Sequence, residues 1–152
     1  MSDPNGVATR TVTPDLLLRV SSMLPLSAWA LGMLIAFHPT LISGFGLIQG
    51  GRVDTRWNNF VLEHGYRWLM GFPNHEQFFF PPVVFPVTLM NSTDLLLGVA
   101  PVYWLWRLAA FEPDTAYQLW MMSLATLNFL ACYFLLKQGF RVGIPGASAG
   151  AL

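Results

Sequence analysis

The sequence predicts an all-α membrane protein: about three transmembrane helices, with an amphipathic juxtamembrane helix in a long first loop. Three observations predict it. Hydrophobic residues make up 54% of the chain and charged residues 11%, less than half the ~25% of ordinary soluble domains. The apolar residues gather in three long runs, at about 16–37, 95–111 and 116–136. The polar residues concentrate in one stretch, Asp54 to Leu69, which holds two carboxylates, two arginines, two asparagines and a histidine. Eight Lys and Arg balance eight Asp and Glu, so bulk charge gives no reason to expect nucleic-acid binding. The single Cys132 cannot form an intrachain disulfide and reads as a small hydrophobe.

Residues 1–15 are polar, with Pro4 and Gly6, and are expected to be a flexible tail. The run 16–37 is long enough to cross a ~30 Å hydrocarbon core at ~1.5 Å per residue. It exceeds a signal-peptide core and lacks a small-x-small site after Phe37, so it is expected to be a retained anchor. Pro25 is expected to kink it, and His38-Pro39 to end it, because the residue before proline is pushed out of the helical region. Residues 38–94 form the long loop. Its glycines Gly44, Gly46, Gly50 and Gly51 predict an irregular connector, followed by the interfacial helix at about 55–70. At 3.6 residues per turn, Trp57, Phe60, Val61, His64 and Trp68 share one side, and Asn59, Glu63 and Arg67 another. Glu63 ahead of Arg67 is the favourable i,i+4 order. From His75 to Ser92 the repeated Phe and Pro exclude a regular helix.

Thr93 or Asp94 can cap the second span, in which Arg107 is expected to snorkel to the interface. Glu112-Pro113-Asp114-Thr115 is a tight turn, so the second and third spans form an antiparallel hairpin. Residues 142–152, rich in Gly and Ala, are expected to be a second flexible tail. The six tryptophans are read as interface markers. Counted by basic residues near the span ends, the two orientations nearly tie.

Chemistry is sought among the polar residues of the loop. Asp54 reads either as a helix N-cap or as a base or divalent-cation ligand at the water–lipid boundary. Glu63 reads either as a second acid or as the ion-pair partner of Arg67. Arg52, Arg56 and Arg67 bracket these acids and suit a lipid phosphate or ordinary headgroups. Asn58, Asn59, His64 and Asp94 complete the candidate substrate-binding set, with His64 also read as a packed histidine and Asp94 as a cap. No HExxH, CxxC or DxD pattern is present.

The pattern Asp54-x-Arg56-x-Asn58-Asn59-x3-Glu63-His64, then the aromatic Pro-rich segment, Ser92-Thr93-Asp94, Pro101-Val-Tyr103, Arg107, Pro113 and Ala116-Tyr-Gln-Leu-Trp120, resembles the amino-terminal part of large bacterial membrane glycosyltransferases of the GT-C and YfhO-like type. The resemblance spans about residues 16–141. It implies an inner-membrane protein with an extracytoplasmic first loop, a polyprenyl-phosphate sugar as donor and an acceptor hydroxyl. It places Asp54 as base or metal ligand, with Mg2+ or Mn2+ the candidate cation, and Glu63 and Asp94 as weaker matches. Such proteins carry eight or more spans. The chain is therefore expected to be a fragment, inactive alone and completed by the rest of a transferase or a partner subunit. The alternative is a non-enzymatic three-span protein whose aromatic loop binds lipid or a partner subunit.

Overall fold

The computed structural model describes residues 14–78 and 96–152, leaving aside the side chains of 14–21 and of Arg52. The described residues form five α-helices: α1 (Pro14–Ile42), α2 (Arg52–Leu69), α3 (Ala100–Leu108), α4 (Pro113–Phe134), which runs on into a π-helical turn (Leu135–Gly139), and α5 (Ile144–Gly150). No β-strand occurs among the described residues. The chain divides into two compact units, residues 33–128 and residues 1–32 with 129–152.

Two helical stretches are long and apolar enough to cross a membrane, Ser22–Ile42 and Pro113–Gly139. At ~1.5 Å per residue they are about 31 and 40 Å long. Only 17% of each apolar window is buried, and Leu26, Leu34, Ile35, Leu127 and Leu135 are exposed. A helix in the core of a soluble domain would hide such side chains.

The first span continues past its expected end. Proline at 39 removes the N–H that would reach the Ile35 carbonyl, and Nδ1 of His38 lies 3.2 Å from that oxygen in its place. The backbone breaks locally at Phe37 (φ −113°, ψ 15°), not at Pro25, and resumes to Ile42. The helix stops in a Schellman turn: Phe45 N–H donates to Thr40 O (2.9 Å), Gly44 N–H to Leu41 O (3.2 Å), and Gly44 takes φ +59°.

The expected second span is corrected. The helix there is α3, nine residues or about 14 Å, roughly half a hydrocarbon core. Leu96 is left-handed (φ +51°) before it and Ala110 (φ +67°) after it. At its end Phe111 N–H donates to Trp106 O and Ala110 N–H to Arg107 O, and the Phe111 and Trp106 rings meet at 5.7 Å. This is a Schellman end with alanine where glycine is usual, so composition carries no stop signal. The described residues therefore hold two membrane-length helices, not three.

In the unit 33–128, α2 packs on α3, and Leu62, Tyr66, Ala100, Tyr103, Ala116, Tyr117 and Trp120 form the core. All six residues Val61–Tyr66 are buried, so this helix is enclosed around its middle. Of the apolar side read from the sequence, Val61 (7% exposed) and His64 (4%) are buried while Trp68 is 40% exposed, and Leu62, off that side, is 1% exposed. Trp120 sits in the core with its indole N–H on Val99 O (2.9 Å), which corrects the reading of every tryptophan as an interface marker. Gln118 is also buried, and its amide donates to Phe45 O (2.9 Å). Gly50 (φ +117°) feeds α2; a Cβ there would lie 2.3 Å from Thr55 Oγ1, so only glycine fits this turn.

In the other unit, Phe129, Tyr133 and Ala147 form a small core with Ala28, Trp29, Leu136 and Ala151. Residues 144–150 are thus a packed helix and not part of a patternless tail. Cys132 points its thiol at Gly150 O (3.7 Å). Residues 79–95, including most of the aromatic Pro-rich segment and Asp94, lie outside the described residues.

Candidate functional site: an open cleft on α2

Glu63 is the hub. It is 9% exposed and both oxygens are engaged. Oε1 accepts from Arg67 Nε (2.8 Å) and Arg107 Nη2 (3.1 Å). Oε2 accepts from Arg107 Nε (2.8 Å) and the Tyr103 hydroxyl (2.9 Å). Four charge-assisted bonds saturate a carboxylate, so Glu63 fixes geometry and has no capacity left for a metal or a substrate proton. Arg107 faces inward, bonds Phe111 O with its remaining arm and stacks 5.0 Å over Tyr66; it does not snorkel. Burial first, and then the Glu63 charge, push the Tyr103 phenol well above its ordinary range, so it is a permanent donor.

Asn59 bridges outward from this hub. Its Oδ1 lies 3.3 Å from the Tyr103 hydroxyl, and its Nδ2 donates to Asp114 Oδ1 (2.8 Å) in the first turn of α4. One turn along α2, Nδ1 of His64 is 2.7 Å from Nδ1 of His75. Nε2 of His64 is 3.0 Å from Phe78 O and 3.2 Å from Gln77 O. The turn between these histidines is set by a Schellman end on α2: Phe72 N–H donates to Arg67 O and Gly71 N–H to Trp68 O, with Gly71 at φ +68°. Burial, then His64 and Arg67, hold His75 below its ordinary value of about 6.5.

These groups line one open cleft of about 550 Å³, with Arg56, Asn59, Glu63, His64, Arg67, His75 and Asp114 on its walls. Arg56 forms no ion pair among the described residues.

Of the expected site residues, the cleft gathers Arg56, Asn59, Glu63, His64 and Arg67. Asn58 is turned to Tyr117 of α4. Asp54 is exposed, lies in the first turn of α2 while Gly51 holds the N-cap position, and does not line the cleft. The nine positions from Asp54 to Glu63 are two and a half turns, so the two acids stand on opposite faces; that spacing was readable in the sequence. Tyr103, Arg107, His75 and Asp114 were not among the expected site residues. Only the i,i+4 step from Tyr103 to Arg107 hinted at a shared face. Among the described residues no three His, Cys, Asp or Glu side chains converge to hold a metal. Comparison with protein-family models, with curated proteins and with solved structures gives no match.

The lowered His75 value carries a pH prediction. The unfolded chain takes the proton first, near pH 6.5, so stability is full above that value and falls as pH drops through the folded value. Thermal unfolding followed from pH 8 to pH 5 should show a steeper acid decline for the natural protein than for His75→Gln. Equal slopes would remove the effect.

Proposed function

We propose that this chain works in a membrane, and that the cleft on α2 holds the phosphate of a polyprenyl-phosphate sugar for transfer to an acceptor hydroxyl, as in glycosyltransferases of the GT-C and YfhO-like type. One observation carries the reading: two guanidinium groups, Arg56 and Arg67, and two imidazoles line a single open cleft in the segment between two membrane-length helices. As the sugar–phosphate bond breaks, the electron pair moves onto phosphate oxygen, and fixed cations stabilise that charge. Glu63 positions Arg67. Asp114, the cleft-wall carboxylate outside the Glu63 ion pairs, takes the acceptor proton in this reading, and Asp54 does not line the cleft. Further spans or a partner subunit complete the donor groove.

The resemblance to those transferases, not charge, assigns the cleft to the extracytoplasmic side of a bacterial inner membrane: near the ends of the two spans Arg52, Arg56 and Arg107 balance Arg10, Arg19 and Arg141.

The test is binding. In nanodiscs the protein should bind farnesyl phosphate, and Arg56→Gln should weaken binding about tenfold, the loss of one charge-assisted contact of ~1.4 kcal/mol. Failure of the natural protein to bind would sink the proposal. The second reading, a non-enzymatic protein docking lipid or a partner subunit, is favoured by exposed Trp68, Leu69, Met70 and Phe72 at the end of α2. It is supported instead if substitutions there release a co-purifying partner while phosphate binding is absent.

A further inference from the structure

We propose that an anionic phosphate group enters the cleft together with a proton, and that Nε2 of His75 receives it. This rests on reading the cleft as a phosphate site, and adds how occupancy of that site responds to pH.

A 2.7 Å Nδ1–Nδ1 separation needs one hydrogen between the rings; two N–H groups cannot face each other there. Carbonyl oxygens only accept, so Nε2 of His64, at 3.0 Å from Phe78 O, carries hydrogen. In the neutral pair Nδ1 of His64 is then bare and His75 must donate from Nδ1. Both nitrogens of His64 are used, and Nε2 of His75 is the lone pair left over. A proton added there leaves the 2.7 Å contact intact and puts a new N–H donor on a cleft-lining ring. A second positive charge on the pair would require two hydrogens between the rings and break it.

The surroundings set when that proton arrives. The pair meets Glu63 and Arg67 from α2, and the cleft adds Arg56 and Asp114 of α4; Glu76 is the neighbour of His75 in sequence and fully exposed. Glu63 is matched by Arg67 and Arg107. Burial, His64 and Arg67 disfavour the proton while the cleft is empty. A phosphate beside Arg56 and Arg67 offsets their charge, and an anion within ~4–6 Å favours the protonated ring by about one to three pKa units.

The experiment is calorimetry on the full chain in nanodiscs at pH 7, in two buffers of different ionisation enthalpy, with farnesyl phosphate in one arm and inorganic phosphate in the other. Binding should be accompanied by proton uptake on the His75 ring, at most one proton per ligand. Binding in both arms identifies the phosphate as the recognised group; binding of farnesyl phosphate alone identifies a lipid headgroup. His75→Gln, checked to melt like the natural protein at pH 8, should bind without that uptake, because guanidinium groups beside a phosphate favour its dianion and make the phosphate itself release protons. The natural protein should gain about tenfold more affinity from pH 8 to pH 6 than this variant. Binding with the same proton uptake in both proteins overturns the proposal and leaves the phosphate site standing. No binding in either arm overturns both. If His75→Gln fails to fold, nitrogen-15 NMR of the natural protein decides: one bare imidazole nitrogen should become protonated on ligand addition, and an unchanged spectrum overturns the inference.

Discussion

Glu63→Ala should destabilise the protein by about 3 kcal/mol, the low end for breaking a buried pair, because the arginine partners keep some solvent. The change leaves Arg107, whose side chain is 17% exposed, without its carboxylate, and strands the buried Tyr103 hydroxyl. It also frees Arg67 to swing out of the cleft, so phosphate binding should weaken with stability. Replacing both partners, Glu63→Leu with Arg107→Leu, should recover much of the stability, since paired apolar groups often substitute for a buried ion pair at little cost. Asp54→Ala, on the exposed face of the same helix, should stay within about 0.5 kcal/mol. Thermal unfolding in detergent, followed by tryptophan fluorescence, compares the variants. Equal effects of Glu63→Ala and Asp54→Ala would show that the hub does not hold α2 to α3.

Leu62→Ala should cost about 3 kcal/mol through lost burial and the cavity left behind. Leu62 is 1% exposed and packs among Tyr66, Tyr103, Tyr117 and Trp120. Leu69→Ala, at a position 50% exposed, should cost well under 1 kcal/mol. Leu62 and Leu69 are seven residues apart and share a face, so the contrast separates the enclosed middle of α2 from its exposed end. If Leu69→Ala proved the costlier of the two, the enclosed core would be wrong.

The failures of sequence reading have particular causes. Helix α2 was placed within a few residues, because its pattern is strong and its Schellman glycine conventional. Its buried residues were only partly legible: periodicity groups Val61 and His64 with the exposed Trp68, whereas in a segment covered on several sides all six residues from Val61 to Tyr66 go inside. The second span was overextended because Ala110 ends α3 in a conformation that composition does not announce. Asp54 and Glu63 are nine positions apart, which helical spacing alone puts on opposite faces of α2.

The linear sequence alone determined that long apolar helices flank a polar segment, since hydropathy and run length are local sums that need no partner. It also determined the Glu63–Arg67 pair, four residues apart on one helix. Only the tertiary structure decided what that pair does. Arg107 and Tyr103 stand 44 and 40 positions away, and their arrival turns an exposed acid into a saturated hub. Asp114 and His75 reach the cleft the same way, through packing and turns whose long-range partners no local pattern records.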